Sequence, residues 1–190
     1  MNISPSLWHG AGRRIHLQEV GTRDGLQAEC TFVPTEDKIA LVNALSATGL
    51  AKIEVTSFTS PTAIPALRDA EVVLREIERR PGVVYSALVP NLRGAERAIE
   101  ARADEFNLVM SASETHNLAN LRMTREQSFA ALAQVVQLAR AQQVAVNISL
   151  SCAFGCPMEG DVSESTVLAW AQRFVDLGVH QDGLIHVSQL

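Results

Sequence analysis

Strand-like and helix-like periodicities alternate five times along this chain, and that alternation limits the fold more than any other feature. Apolar, β-branched segments at residues 15–20, 51–55, 83–88, 105–110 and 144–150 read as short buried strands. Between them, residues 36–48, 66–79, 92–102, 124–142 and 164–177 carry helical spacing. Thr35 stands before Glu36 and Asp37, and Thr124 before Glu126 and Gln127, as helix start signals. Gly49 and Gly178 stand where glycine ends a helix. Strand then helix, repeated, means βαβ units and a parallel sheet. Two architectures remain open on pattern alone, a doubly wound sheet and a (β/α)8 barrel. No G-x-G-x-x-G follows the first strand, which weakens the dinucleotide-binding version. A complete barrel takes roughly 250 residues, whereas the 190 residues here supply five units.

The remaining bounds are quickly stated. A composition of 47% hydrophobic and 19% charged residues is that of an ordinary globular domain, and the length allows one well-buried core. A formal net charge of −5 argues against a nucleic-acid or acidic-membrane partner. No apolar run approaches the roughly 20 residues of a membrane span. Residues 1–14 carry no apolar signal core; they are expected to be a flexible lead-in, and a cytoplasmic location follows as the default. Three cysteines, an odd count, do not make a disulfide framework in a chain of this size.

Chemistry concentrates after the first strand. Ile15, Leu17 and Val20 lead into Gly21-Thr22-Arg23-Asp24-Gly25, with Gln27 and Glu29 just beyond. Adjacent charges at a strand exit are costly to bury, so they are exposed in a tight turn or serve a site. Both readings stay open on these residues alone. In a barrel, however, strand exits are where catalytic groups sit, which also places Glu54 at the end of the second strand. A salt bridge from Glu54 to Lys52 or a neighbouring loop is the plainer alternative.

The run from Val20 to Glu29 resembles the first-strand signature of the hydroxymethylglutaryl-CoA lyase family, a group of TIM-barrel metallolyases. Further blocks at residues 32–35, 53–58, 88–92, 111–114 and 151–157 match in order, covering about 15 to 178. The resemblance selects the barrel, so the expected fold is an incomplete (β/α)8 TIM barrel over residues 15–178 with about five βα units. It implies a metal-dependent retro-Claisen cleavage of 3-hydroxy-3-methylglutaryl-CoA to acetyl-CoA and acetoacetate. Asp24 would be a ligand of a divalent cation, Mg²⁺ or Mn²⁺, for which a hard oxygen is suited. Arg23 would stabilise the enolate-like oxygen, Gln27 would lie beside the substrate, and Glu54 would hold neighbouring basic groups. Ser113 and Asn117, in the loop after the fourth strand, would bond the acyl-CoA; the alternative is that Ser and Asn here cap the next element. His116 reads as a solvated loop histidine. Cys152 and Cys156 form a C-x3-C pair without further ligands, a poor zinc signal, and shape the barrel mouth in the family. The implied partner is an acyl-CoA; assembly with further copies of the chain stays open.

Two departures stand out. Cys30 and Ala28 occupy places where family members tend to have Lys and Asn. After Gly178 the family would add an acidic sixth strand, a His-x-His pair, a Cys-bearing loop and an Asn ligand; His186 has no second His two positions away. The sheet is therefore expected to end in an open edge after strand five, and these residues to turn over little substrate or none. The competing reading is a noncatalytic or chimeric fragment needing a partner to complete the barrel. Residues 174–190 resemble the middle hairpin of an S1-type RNA-binding domain, with Asp182-Gly183 as its turn, so 179–190 reads as a tail outside the family. It is far too short for an RNA-binding face.

Overall fold

The computed structural model describes residues 16–179 and the backbone of 185–187. The lead-in 1–14 and the Asp182-Gly183 turn lie outside the described residues. Strands β1 (Gln18–Glu19), β2 (Lys52–Ser57), β3 (Val84–Leu88), β4 (Glu105–Ser111), β5 (Ala145–Ser151) and β6 (Ile185–Val187) form one sheet in sequential order. Every pairing is parallel. Helices α1 (Thr35–Ser46), α2 (Ala70–Glu76), α3 (Leu92–Glu100), α4 (Glu114–Leu121), α5 (Arg125–Ala141) and α6 (Glu164–Asp176) fill the crossovers. Five strand–helix units in sequential order make the incomplete barrel that the family resemblance selected among the architectures the alternation left open.

Period-two alternation divides the sheet into two faces. Ile53 and Val55, Phe106, Leu108 and Met110, and Val146, Ile148 and Leu150 are buried in the apolar core with Val42, Leu74, Val135 and Phe174 of the helices. The intervening positions are polar and equally buried: Glu54, Ser86, Glu105, Asn107, Asn147 and Ser151. Helix α3 presents Ala95 and Ala98 inward and crosses so near the β2 exit that a Cβ on Gly94 would lie 2.9 Å from Phe58 O.

Strand β1 is short, Gln18–Glu19, with Leu17 and Val20 beside it exposed, and is not the buried strand expected over residues 15–20. Three further features differ from expectation, each for a local reason. The second helix is broken: a 3-10 turn, Pro65–Leu67, precedes α2, and the chain leaves the helical conformation at Asp69 (φ −98°, ψ 16°), whose carboxylate is tied to Thr35 and Lys38. An additional helix, α4, occupies the segment after β4, nucleated by Ser113 as N-cap with Glu114 in its first turn. It ends where Arg122 turns left-handed, at φ 56°. Finally, the sheet does not stop at β5. Ile185–Val187 pairs with Ile148–Leu150 as a sixth parallel strand, so the edge expected to be open is covered along three residues. The segment expected as an arm of a hairpin tail continues the sheet.

Candidate active site

The loop after β1 is tightened onto its own strand. Arg23 N and Asp24 N both donate to Val20 O, at 3.0 and 2.7 Å, across a π-helical turn spanning Gly21–Gly25. The buried Thr22 hydroxyl donates to Glu54 O at 2.7 Å, which ties this turn to β2. Arg23 is thereby laid against Glu54, with Nε donating to Oε1 at 2.6 Å. Its Nη1 donates to Asp24 Oδ1, also at 2.6 Å. Asp24 is 61% exposed, Arg23 15% and Glu54 1%, so the three run from open solvent to interior.

Glu54 is the anchor. Beyond Arg23 it accepts from Asn107 Nδ2 at 3.0 Å and Gln18 Nε2 at 3.4 Å. Burial pushes its carboxyl above the ordinary range; the Arg23 charge and the Arg23 and Asn107 hydrogen bonds pull against that, and Asp24 adds a small push. Of the plainer alternatives for Glu54, the bridge to Lys52 does not form, because Lys52 Nζ reaches both oxygens of Glu105 at 2.6 Å instead, whereas a bridge to a neighbouring loop does form, through Arg23. The polar chain runs on across the sheet. Asn107 Oδ1 accepts from Asn147 Nδ2 at 3.0 Å and Ser149 Oγ at 3.1 Å. Gln18, Asn107, Asn147 and Ser149 went unremarked in the sequence. Their signal is there: β4 and β5 place a polar residue at alternate positions within otherwise apolar strands.

Gln27, further along the first loop, is exposed and lines a cavity of about 450 Å³ with Cys30, Phe32, Ile64, Pro65 and Arg68. The structure therefore brings Arg23, Asp24 and Glu54 together and sets Gln27 on the same βα loop.

Ser113 and Asn117 are placed differently. Ser113 Oγ accepts from His116 N at 3.1 Å, the capping arrangement weighed as the alternative. Asn117 is 0% exposed and its amide is fully engaged: Oδ1 accepts from Ser111 N, and Nδ2 donates to Met123 O and Ser128 Oγ. A side chain with all its polar atoms spent inside cannot also bond a ligand, so the expected substrate contact of Asn117 gives way to a loop-closing role. His116 is likewise not simply solvated, since its Nδ1 is buried without a hydrogen-bond partner among the described residues.

Cys152 and Cys156 sit beside this loop. Cys152 is buried in a left-handed conformation, φ 56°, and Cys156 is buried where its backbone bridges Gly160. Burial raises the Cys152 thiol. Burial also pushes Cys156 upward, but hydrogen bonds from Ser113 and the backbone of Met158 and Glu159 outweigh it and hold that thiol low. Among the described residues no group of three or more His, Cys, Asp or Glu is arranged to hold a metal ion. Nor is any helix among them long and apolar enough to cross a membrane.

Comparison with known proteins places this chain in a lineage. The chain is 44% identical over 169 residues to the hydroxymethylglutaryl-CoA lyase YngG of Bacillus subtilis, covering 89% of this chain and 56% of that one. It is 41% identical over 172 residues to the mitochondrial hydroxymethylglutaryl-CoA lyase of Rattus norvegicus, covering 90% and 53%. The solved structure of an HMG-CoA lyase from Acinetobacter baumannii, in complex with coenzyme A and 3-methylmalate, superposes with a TM-score of 0.85 at 48% identity, over 90% of this chain and 55% of that one. The chain thus spans about half the length of the relatives it matches. The HMGL-like family model matches residues 14–184, which reaches past Gly178 into the segment expected to be foreign. With that match over most of its length, the chain belongs to the HMGL-like family.

Proposed function

We propose that this chain carries the substrate-orienting and charge-stabilising part of a carbon–carbon lyase site acting on 3-hydroxy-3-methylglutaryl-CoA or a near relative, with acetyl-CoA and acetoacetate as products. The observation that supports this best is the Arg23–Glu54 pair. A guanidinium 15% exposed, fixed by a carboxylate 1% exposed, is a cation held at the strand exit before any substrate arrives. Such a preset donor is effective because it needs no reorganisation when charge develops. Retro-Claisen cleavage develops charge on the carbonyl oxygen of the departing enolate, and Arg23 would meet it. Glu54 is the positioning residue, kept in place by Asn107 and Gln18.

Asp24 is the carboxylate we assign to a divalent cation, Mg²⁺ or Mn²⁺. It is exposed and bonds Arg23 through one oxygen only. One carboxylate does not make a metal site, and the described residues add no cluster around it. A cytoplasmic setting, with an acyl-CoA and without nucleic acid or membrane as partner, completes the proposal.

A second reading is favoured by the same observation on the metal: the chain binds the acyl-CoA without turning it over. Both are tested by incubating the protein with 3-hydroxy-3-methylglutaryl-CoA and Mg²⁺ or Mn²⁺ and following acetyl-CoA. Slow release that Asp24→Ala abolishes supports the lyase. Substrate binding with no release supports the second reading, and absence of both removes the proposal.

A further inference from the structure

We propose that Arg68 is a specificity-determining residue, the cation that takes a phosphate of the coenzyme A portion of the ligand. This rests on the acyl-CoA reading above and adds to it a residue from the second βα loop. The cavity holding Gln27 is built from two neighbouring loops at the same end of the sheet. The loop after β1 supplies Gln27, Glu29, Cys30 and Phe32, and the loop after β2 supplies Ala63 to Ala66 and Arg68. At about 450 Å³ it falls in the range of ligand pockets, roughly 300–1,000 Å³.

Among the described residues Arg68 is the cation on its wall, and Lys38 packs against the wall residues Phe32 and Ala66 from within. Lys38 is 3% exposed and wholly committed, with Nζ on Ala66 O at 2.6 Å and Asp69 Oδ1 at 2.7 Å. Arg68 is exposed, and its guanidinium lies 3.5 Å from the centroid of the Phe32 ring. Lys38 Nζ lies 4.1 Å from the same centroid, so the ring is fixed by the buried lysine and in turn carries the arginine. Nη1 of Arg68 donates to Pro65 O at 3.2 Å, which sets the plane of the fork. Among the described residues Arg68 has no ion pair and no other hydrogen-bond acceptor. It is therefore a preset guanidinium with donors to spare on a cavity wall, the geometry that suits bidentate binding of a phosphate. Position 30 is a cysteine and not a basic residue, so among the described residues the first loop brings no cation to this wall. Among the described residues the one acid on the wall is Glu29, exposed, which opposes an anion and so sets the sign of a second test.

The experiment is calorimetric titration of the protein with coenzyme A, dephospho-coenzyme A and pantetheine, for wild type, Arg68→Met, Arg68→Lys and Glu29→Gln. Arg68→Met should weaken coenzyme A about five- to tenfold, as expected for losing one partly exposed charge-assisted contact. Pantetheine, which has no phosphate, should bind both proteins equally. Arg68→Lys should recover most of the loss, and Glu29→Gln should strengthen coenzyme A binding. Loss shared by dephospho-coenzyme A places the contact on the pyrophosphate; loss confined to coenzyme A places it on the 3′-phosphate. The assignment is overturned if Arg68→Met, melting like wild type, binds coenzyme A unchanged or loses pantetheine equally. Wild type that binds no coenzyme A overturns the acyl-CoA reading, and the Arg68 assignment with it.

Discussion

Two loops at the same end of the sheet carry polar residues at similar density and use them in opposite ways. After β1, Arg23 and Asp24 are held at the surface, because the anchoring carboxylate, Glu54, comes from the next strand. After β4, Ser113 and Asn117 spend their hydrogen bonds on the loop itself, closing it onto Met123 and Ser128. In the first loop, bonds to Val20 O and to Glu54 hold the turn, and the two charged side chains are left towards solvent. Where the side chain must do that work, it is structural.

Several substitutions break or sharpen this contrast. The largest effect should come from Asn117→Ala, which strips partners from Ser111 N, Met123 O and Ser128 Oγ in the interior. Buried groups left unpaired cost about 1–3 kcal/mol each, so a loss of at least about 3 kcal/mol is expected in urea unfolding. A loss below about 1 kcal/mol would mean the loop is not closed by this amide. Ser113→Ala should cost about 1 kcal/mol, the worth of an N-cap, with coenzyme A affinity unchanged.

Glu54→Gln tests the other loop through pH. Because burial raises the Glu54 carboxyl, the folded protein binds its proton more tightly than the unfolded chain does. Wild type therefore loses stability as pH rises from the ordinary carboxylate range through the raised value, whereas the variant, with no proton to release at this position, does not. Unfolding across that window should show the variant gaining on wild type with increasing pH. The opposite trend would show that attraction to Arg23 dominates burial. The smallest change in stability should follow Gln27→Ala: within about 0.5 kcal/mol of wild type, as for an ordinary surface site, with weaker coenzyme A binding as its signature.

Much of this was legible in the sequence, and the omissions have physical causes. The five βα units could be read because short apolar, β-branched segments alternate with longer segments of helix-forming residues, the helical period being clear in α3 and α6 and faint in α1. Helix α4 was not read, since its eight residues carry little periodicity and its start rests on one serine. Arg23, Asp24 and Glu54 were singled out by residue type, but not the wiring between them. Lys52 and Glu54 lie two apart on one strand, and sequence cannot say which acid each basic group meets. Register decides it. Ser86 on β3 pairs with both Glu54 and Glu105, so this small residue stands between β2 and β4. Lys52 reaches Glu105 across it, and Asn107 reaches Glu54. Asn117 misled because an amide reads the same in a ligand-facing loop as in one that closes on itself.

The most direct test of the account is acetyl-CoA release from 3-hydroxy-3-methylglutaryl-CoA with Mg²⁺, compared between wild type and Arg23→Gln. If Arg23 is the preset donor for the developing enolate oxygen, the variant should lose about 100-fold or more in rate, the range seen for a single oxyanion donor. Substrate affinity should fall far less. Equal rates in the two proteins would contradict the role given to the Arg23–Glu54 pair.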